Sequence, residues 1–163
     1  MVLWLNKVMG QYCIMKNLLT QKIHSSMSNF SQQWLNAWNC HDVEMLLTFY
    51  DKNFGSEIVS EDYSYHDHHS VEEMAQRFFN AFPDLHFELK ETIEQGDKVS
   101  MLWVGSGTHK GTYNHIPPTG KRLEVNGTSF LELKNGKIIK ATFLWDGADM
   151  LRQMGLLPEV QLA

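Results

Sequence analysis

An Asn-Gly pair between two alternating stretches of sequence constrains the fold of this chain more than any other feature. Asn135 and Gly136 join the stretch 123–134 to the stretch 137–145. Asn-Gly is typical of a type I′ turn, because both central residues of that turn take positive φ angles. We therefore predict a long antiparallel hairpin. The residues expected to share its buried face are Leu123, Val125, Ser129, Leu131, Leu133 and Phe143.

Two more strands are predicted before the hairpin. Apolar and polar residues alternate over 85–93, and a second strand is expected over 99–109. Gly105 and Gly107 fall inside that second strand, where glycine often marks a sharp bend or a close approach by a ligand. Glu91 interrupts the apolar face of the first strand. A carboxylate on an inward face is either paired or functional, so Glu91 is a candidate cavity residue.

Helices are predicted on both sides of these strands. Apolar residues at helical spacing indicate a first helix from Phe30, and Asp42 can cap a short second helix that extends to Tyr50. A Ser-Val-Glu-Glu capping box at 70–73 opens a third helix, and Asp146 can cap a closing one. The pattern therefore places most of the helices before the long strands.

Helices followed by a strongly bent antiparallel sheet indicate an α+β fold, in which the sheet wraps around the helices as a cone-shaped barrel. Such a cone leaves a cavity with one open end, which is the default place for a small ligand. The length of 163 residues suits one main domain, which we place at 28–163. The net charge of −5 argues against a nucleic-acid partner, because phosphate binding needs clustered Lys and Arg.

Residues 1–27 differ from the rest of the chain in charge. They contain three Lys and no Asp or Glu, whereas residues 28–163 carry a net charge of −8. Their apolar runs are too short and too often interrupted for a membrane span or a signal peptide. Three interpretations stay open. The segment is an amphipathic helix docked on the domain, on a partner or on a membrane surface. Alternatively, it is a targeting presequence, or the natural start of the protein is Met27. We expect an accessory extension outside the core fold.

The two cysteines, Cys13 and Cys40, lie in unrelated contexts and form no Cys-x-x-Cys motif or zinc spacing. This pattern argues against a structural zinc site or a disulfide framework and favours a reducing compartment. The sequence thus predicts a cytoplasmic protein with no metal, and no membrane is expected as a partner of the core domain.

Several motifs occur in an order that resembles the SnoaL-like polyketide cyclase, or ester cyclase, family. The resemblance covers about residues 30–158. The motifs are FPDLHFE at 82–88, GDKV at 96–99, WVGSGTHKG at 103–111, IPPTGKR at 116–122, NGKI at 135–138, WD at 145–146 and LRQMGLLP at 151–158.

The resemblance implies the nuclear transport factor 2-like fold, a homo-oligomer such as a dimer, and cofactor-free cyclisation by intramolecular aldol chemistry. In cyclases of the family, an Asp on the last strand serves as acid and base, and a His on the preceding strand lies near it. Matching through NGKI and LRQMG places Phe143 at the Asp position and Ser129 at the His position. Phe cannot transfer a proton, so the family's aldol mechanism is not expected here.

Three other residues are candidates for acid/base chemistry. His109 and Asp146 match positions that the family motifs share, although Asp146 also suits a helix N-cap. His66 begins a His-Asp-His-His run, and it could serve as a base near neutral pH if it reached the cavity mouth. The residues expected to line the ligand cavity are Trp38, Tyr50, Phe79, Glu91, Trp103, Ser129, Phe143 and Trp145.

These residues leave three functions open. The first is a cofactor-free isomerase, cyclase or hydrolase that acts on a small hydrophobic molecule by acid/base chemistry. The second is a non-catalytic protein that binds such a molecule in the same cavity. The third is an oligomeric interaction module. A water-accessible cavity with an inward His109 or Asp146 favours the enzyme, and a wholly apolar cavity favours the binding protein.

We expect a chain that begins at Met27 to fold as stably as the full chain, because the predicted core helices start after Ser28. Thermal melts of the two proteins measure this directly. A shortened protein that is insoluble, or that melts at a much lower temperature, would show instead that the basic extension is part of the core.

Overall fold

The computed structural model describes residues 30–58 and 63–158, so the extension at 1–27 lies outside the described residues. The helices are α1 (Phe30–Asn39), α2 (Val43–Leu47), α3 (His68–Ala81) and α4 (Gly147–Gln153). The strands are β1 (Tyr50–Ile58), β2 (Tyr63–Tyr65), β3 (His86–Gln95), β4 (Lys98–Thr108), β5 (Arg122–Lys134) and β6 (Lys137–Trp145). The predicted α+β class is confirmed.

The six strands form one sheet in the order β2-β1-β6-β5-β4-β3. The four long strands β3 to β6 pair antiparallel along the chain, as the sequence predicts. The sheet is nevertheless mixed, because β1 lies parallel to β6. No hairpin joins these two strands, so no turn fixes their relative direction.

The hairpin at Asn135-Gly136 has the predicted turn. Both residues have positive φ angles, 53° and 72°, as a type I′ turn requires. The turn pairs Lys134 with Lys137, and a β-bulge in β6 then shifts the register by one residue, so that Ser129 lies opposite Phe143. Ser129 and Phe143 are both buried, so the prediction of the inward-facing register is confirmed.

Two local predictions are wrong in detail. Helix α3 is capped by Asp67, whose carboxylate accepts a hydrogen bond from the Ser70 backbone N–H at 2.8 Å. The Ser70 hydroxyl in turn accepts from the Asp67 backbone N–H, which completes a capping box three residues earlier than expected. A carboxylate is favoured there by the positive end of the helix dipole. The second difference concerns Tyr50, which begins β1 instead of ending α2.

The core lies between the helices and the inner face of the sheet. Helix α1 buries Trp34, Leu35 and Trp38 against it, at the helical spacing that the sequence shows. Asn39 ties the end of α1 to β3, because its side chain donates to the Phe87 carbonyl at 2.8 Å and accepts from the Phe87 N–H at 2.7 Å. No helix among the described residues is long and apolar enough to cross a membrane.

Cys40, directly after α1, is disulfide-bonded, and its partner lies outside the described residues. The bond affects the comparison with a chain that begins at Met27, because that chain lacks Cys13. The full-length Cys40→Ser variant is therefore the matched control for the truncation.

Candidate functional site

A cavity of about 90 Å³ lies between the sheet and helices α1 and α3. Nearly all of its walls are aromatic and aliphatic side chains. The lining residues are Trp34, Leu35, Trp38, Met74, Phe78, Phe82, Leu85, Phe87, Trp103, Gly105, Ser106, Gly107, Leu123, Val125, Ser129, Phe143, Trp145 and Met150. Of these, five are only half-buried: Phe78, Phe87, Ser106, Trp145 and Met150.

One wall is built around Trp34 and Phe143, whose rings are parallel within 2° with centroids 6.1 Å apart. Phe143 thus brings the last strand β6 against helix α1. The indole N–H of Trp34 donates to the Tyr50 hydroxyl at 3.3 Å. Burial raises the pKa of Tyr50 far above its usual value, so its hydroxyl stays protonated. Tyr50 lies behind Trp34 and does not line the cavity.

The opposite wall is built around Trp103 on β4. Its indole N–H donates to the Ser129 hydroxyl, with 2.9 Å between Nε1 and Oγ. The ring packs edge-on against Phe87, with centroids 5.2 Å apart. Gly127 on β5 makes room for this indole, because a Cβ atom at that position would overlap the ring. The close approach at Gly127 is therefore made by the protein's own Trp103. Gly105 on β4 likewise faces the side chain of Phe87.

Trp38 lies between these two walls and is 95% buried. Its ring makes edge contacts with Trp34, Phe78, Phe79 and Phe87, with centroid distances of 5.6–6.3 Å. Its indole N–H has no hydrogen-bond partner among the described residues. This distinguishes it from the N–H groups of Trp34 and Trp103, which are both hydrogen-bonded.

Five of the eight predicted cavity residues line the cavity. They are Trp38, Trp103, Ser129, Phe143 and Trp145. Tyr50 and Phe79 are one layer further out: Tyr50 supports Trp34, and Phe79 stacks on His41 with ring centroids 4.4 Å apart.

Glu91 is the eighth predicted cavity residue, and the structure places it on the outer face of the sheet, exposed. The cause is a β-bulge. Leu89 pairs with the buried Trp103, but Glu91 pairs with the exposed Leu102, so one extra residue reverses the alternation of β3. After the bulge Thr92 faces inward instead, where its hydroxyl lies 2.8 Å from that of Ser31.

His109 does not line the cavity, although it is fully buried. It follows β4 and packs against Phe82, with ring centroids 5.3 Å apart. Its Nδ1 atom accepts from the Thr119 backbone N–H at 3.3 Å, and the Thr119 hydroxyl lies 3.1 Å away. Burial lowers the pKa of His109, and a backbone hydrogen bond with Gly111 offsets part of that effect. The ring thus holds the loop 110–121 in place.

Asp146 and His66 are exposed and line no part of the cavity. Asp146 caps α4 by accepting a hydrogen bond from the Asp149 N–H at 2.8 Å. The side chains of the neighbouring histidines diverge: His68 bonds the Tyr50 carbonyl through Nε2, and His69 pairs with Glu73. Within 30–58 and 63–158, no three His, Cys, Asp or Glu side chains form a cluster that could hold a metal ion.

The sequence analysis missed the cavity residues contributed by α3 and α4. Met74, Phe78 and Phe82 form one wall, and Met150 contributes from the closing helix. The signal was present, since the first three recur at helical spacing. Their placement on the cavity depends on the angle at which α3 crosses the sheet, which the pattern of apolar residues does not give.

We expect the protein to lose stability as the pH falls below about 6.5, because the buried His109 binds a proton less readily in the folded state than in the unfolded chain. Between the two pKa values the unfolded state holds the extra proton, so acidification favours unfolding. Urea unfolding at pH 7.5 and 5.5 measures the difference. The His109→Gln variant should show a smaller difference, and equal differences in both proteins would contradict this role of His109.

The comparisons with known proteins agree with this architecture. The sequence profile of the SnoaL-like polyketide cyclases matches residues 29–154. Among curated proteins, none matches the chain in sequence.

Solved structures of the same fold are numerous. AclR, a putative hydroxylase from Streptomyces galilaeus, has a TM-score of 0.72 at 23% identity, over 81% of this chain and 86% of its own. IdmH, a putative polyketide cyclase from Streptomyces antibioticus, has a TM-score of 0.69 at 21% identity, over 78% and 96%. A Catenulispora acidiphila protein with a ketosteroid isomerase-like fold has a TM-score of 0.71 at 16% identity, over 81% and 96%.

At these identities the structural neighbours show the fold alone, which is the nuclear transport factor 2-like cone that the sequence predicts. The family assignment rests on the sequence profile, which spans more than half of the chain. The chain belongs to the SnoaL-like polyketide cyclase family.

Proposed function

We propose that this protein binds a compact, mainly apolar molecule inside the cone and does not use the aldol chemistry of the cyclases. One observation carries the proposal: among the described residues, no side chain that lines the cavity titrates near neutral pH. Apart from indole N–H groups, the polar side chains of the lining are the hydroxyls of Ser106 and Ser129.

Proton transfer needs a titratable group within hydrogen-bond reach of the substrate. His109, Asp146 and His66, the three candidates from the sequence, all lie outside the cavity lining. Phe143 occupies the position that the resemblance assigns to the catalytic Asp. Its ring stacks on Trp34 and forms part of the cavity wall. These placements support the binding role over the enzyme.

The cavity suits a fragment-sized ligand, since drug-sized ligands generally occupy pockets of roughly 300–1,000 Å³. Small lactones, cyclic ketones and aromatic polyketide fragments have the required size and apolar surface. Their binding needs no cofactor and no metal. We also propose that the protein is cytoplasmic, as the sequence predicts.

Filling the cavity should abolish ligand binding. Val125 is buried on the inner face of β5, so Val125→Phe places a ring in the space that a ligand would occupy. Val104→Phe adds the same ring to the outer face of β4 and is the matched control. After a thermal-shift screen of small lactones and cyclic ketones, we expect calorimetry to show at least about a tenfold loss of affinity for Val125→Phe only.

Proton NMR of each bound compound, incubated with the wild-type protein, tests the enzyme alternative. Conversion of any of them would replace the binding role with a cofactor-free isomerase, cyclase or hydrolase. A screen without a single binder would overturn both.

We further propose a homodimer in which a second copy covers the outer face of the sheet. Ile93, Leu102, Phe130 and Leu144 are 44–63% exposed there, and exposed apolar side chains grouped on one face are typical of an interaction surface. Positively charged lysines and negatively charged glutamates both border this apolar group. Two identical surfaces can then place opposite charges next to each other across the interface. The bordering residues are Glu91, Lys98, Glu132 and Lys140.

Light scattering coupled to size exclusion should give twice the monomer mass for the wild type. Leu102→Asp, at the centre of the outer face, should give the monomer mass, because it buries a carboxylate without a partner in the dimer. Leu156→Asp changes an equally exposed leucine outside this face and should leave the dimer intact. A wild-type monomer, or equal masses for both variants, would contradict the proposed interface.

A further inference from the structure

The indole N–H of Trp38, a residue that lines the cavity, is a buried donor whose structural role is unexplained. It is buried and lacks a partner among the described residues, on a side chain that is 95% buried and lines the cavity. The comparable groups of Trp34 and Trp103 are hydrogen-bonded to Tyr50 and Ser129. A buried donor without a partner is unfavourable, and in native proteins such groups are usually satisfied.

We propose that the Trp38 N–H donates a hydrogen bond to an oxygen atom of the bound molecule, and that the ligand is therefore an uncharged carbonyl compound. This inference rests on the proposed function. The aromatic edges around Trp38 offer no conventional acceptor. A ligand with one carbonyl oxygen supplies the acceptor, while the rest of its surface contacts apolar walls.

The charge of the lining restricts the ligand further. No Lys, Arg or His is among the described lining residues, so a bound carboxylate would lose its hydration without gaining a counter-charge. No Asp or Glu is among the described lining residues either, which disfavours a cationic amine in the same way. A neutral ketone, lactone or ester with a compact apolar body is the class that matches both the unpaired donor of Trp38 and the uncharged walls.

Cyclohexanone and methylenecyclohexane test this assignment, because they have nearly the same shape and differ in whether the exocyclic atom accepts a hydrogen bond. We expect the wild-type protein to bind cyclohexanone about tenfold more tightly than methylenecyclohexane, as one net hydrogen bond predicts. Cyclohexane carboxylate should bind more weakly than either. In a proton–nitrogen correlation spectrum, the indole signal of Trp38 should move with cyclohexanone and stay in place with methylenecyclohexane.

Two matched variants assign the effect to one side chain. Trp38→Phe keeps an aromatic ring and removes the donor, so it should bind both compounds with equal affinity. Trp34→Phe removes an N–H that is already bonded to Tyr50 and should keep the preference for the ketone. Melting curves establish that each variant is folded, and the comparison of the two compounds on the wild type needs no variant.

Equal affinity of the wild type for the two compounds, or a preference that persists in Trp38→Phe, would overturn the role of Trp38. The proposed function, binding of a small apolar molecule, would be unaffected by that result. If no compound in the wider screen bound the wild type, the proposed function itself would fail. The Trp38 indole N–H signal could already have the chemical shift of a hydrogen-bonded group before any ligand is added, and not respond to cyclohexanone. That result would indicate a trapped water as the acceptor and would also overturn the assignment.

Discussion

The pairing register of β5 with β6 determines which residues this cone presents to its interior. The two-residue turn at Asn135-Gly136 starts that register, and a β-bulge after the first two residue pairs shifts it by one residue, which brings Ser129 opposite Phe143. A slip of one residue would turn every inward side chain of a strand to the outer face. Both the stacking of Phe143 on Trp34 and the hydrogen bond from Trp103 to Ser129 depend on this register. The helix packing and the polar contact within the cavity therefore depend on the turn and the bulge together.

The sequence was sufficient for the fold class and for the inner faces of β4 and β5, because strict alternation determines those faces. It did not show the bulge in β6, which puts Ile138 and Ala141 on the same buried face although they are three residues apart. It was misleading on β3, where the alternation continues past Leu89 but the strand contains a bulge. A bulge depends on the twist of neighbouring strands, so Glu91 could not be placed from its own sequence. The parallel pairing of β1 with β6 could not be predicted for a related reason. The two strands lie far apart along the chain, so no local pattern indicates that they pair.

The candidate acid/base residues show the limit of motif reasoning. His109 and Asp146 match positions in the family motifs, yet here one supports a loop and the other caps a helix. Each position has a structural use that is independent of proton transfer. More of the lining residues of the cavity could be predicted, because bulky aromatic side chains on an inward face are buried between the sheet and the helices. What the sequence could not give was the state of one indole N–H, which depends on the placement of every neighbour.

The contact between Gly127 and Trp103 has a consequence for how this cavity can change during evolution. A side chain at position 127 and an indole at position 103 would occupy the same space, so neither position can vary alone without cost. The two are expected to behave as an epistatic pair: a larger residue at 127 becomes acceptable only after a smaller one has replaced the tryptophan. That order of substitution would first enlarge the cavity and release the Ser129 hydroxyl. New ligand preferences along this route would therefore begin at position 103.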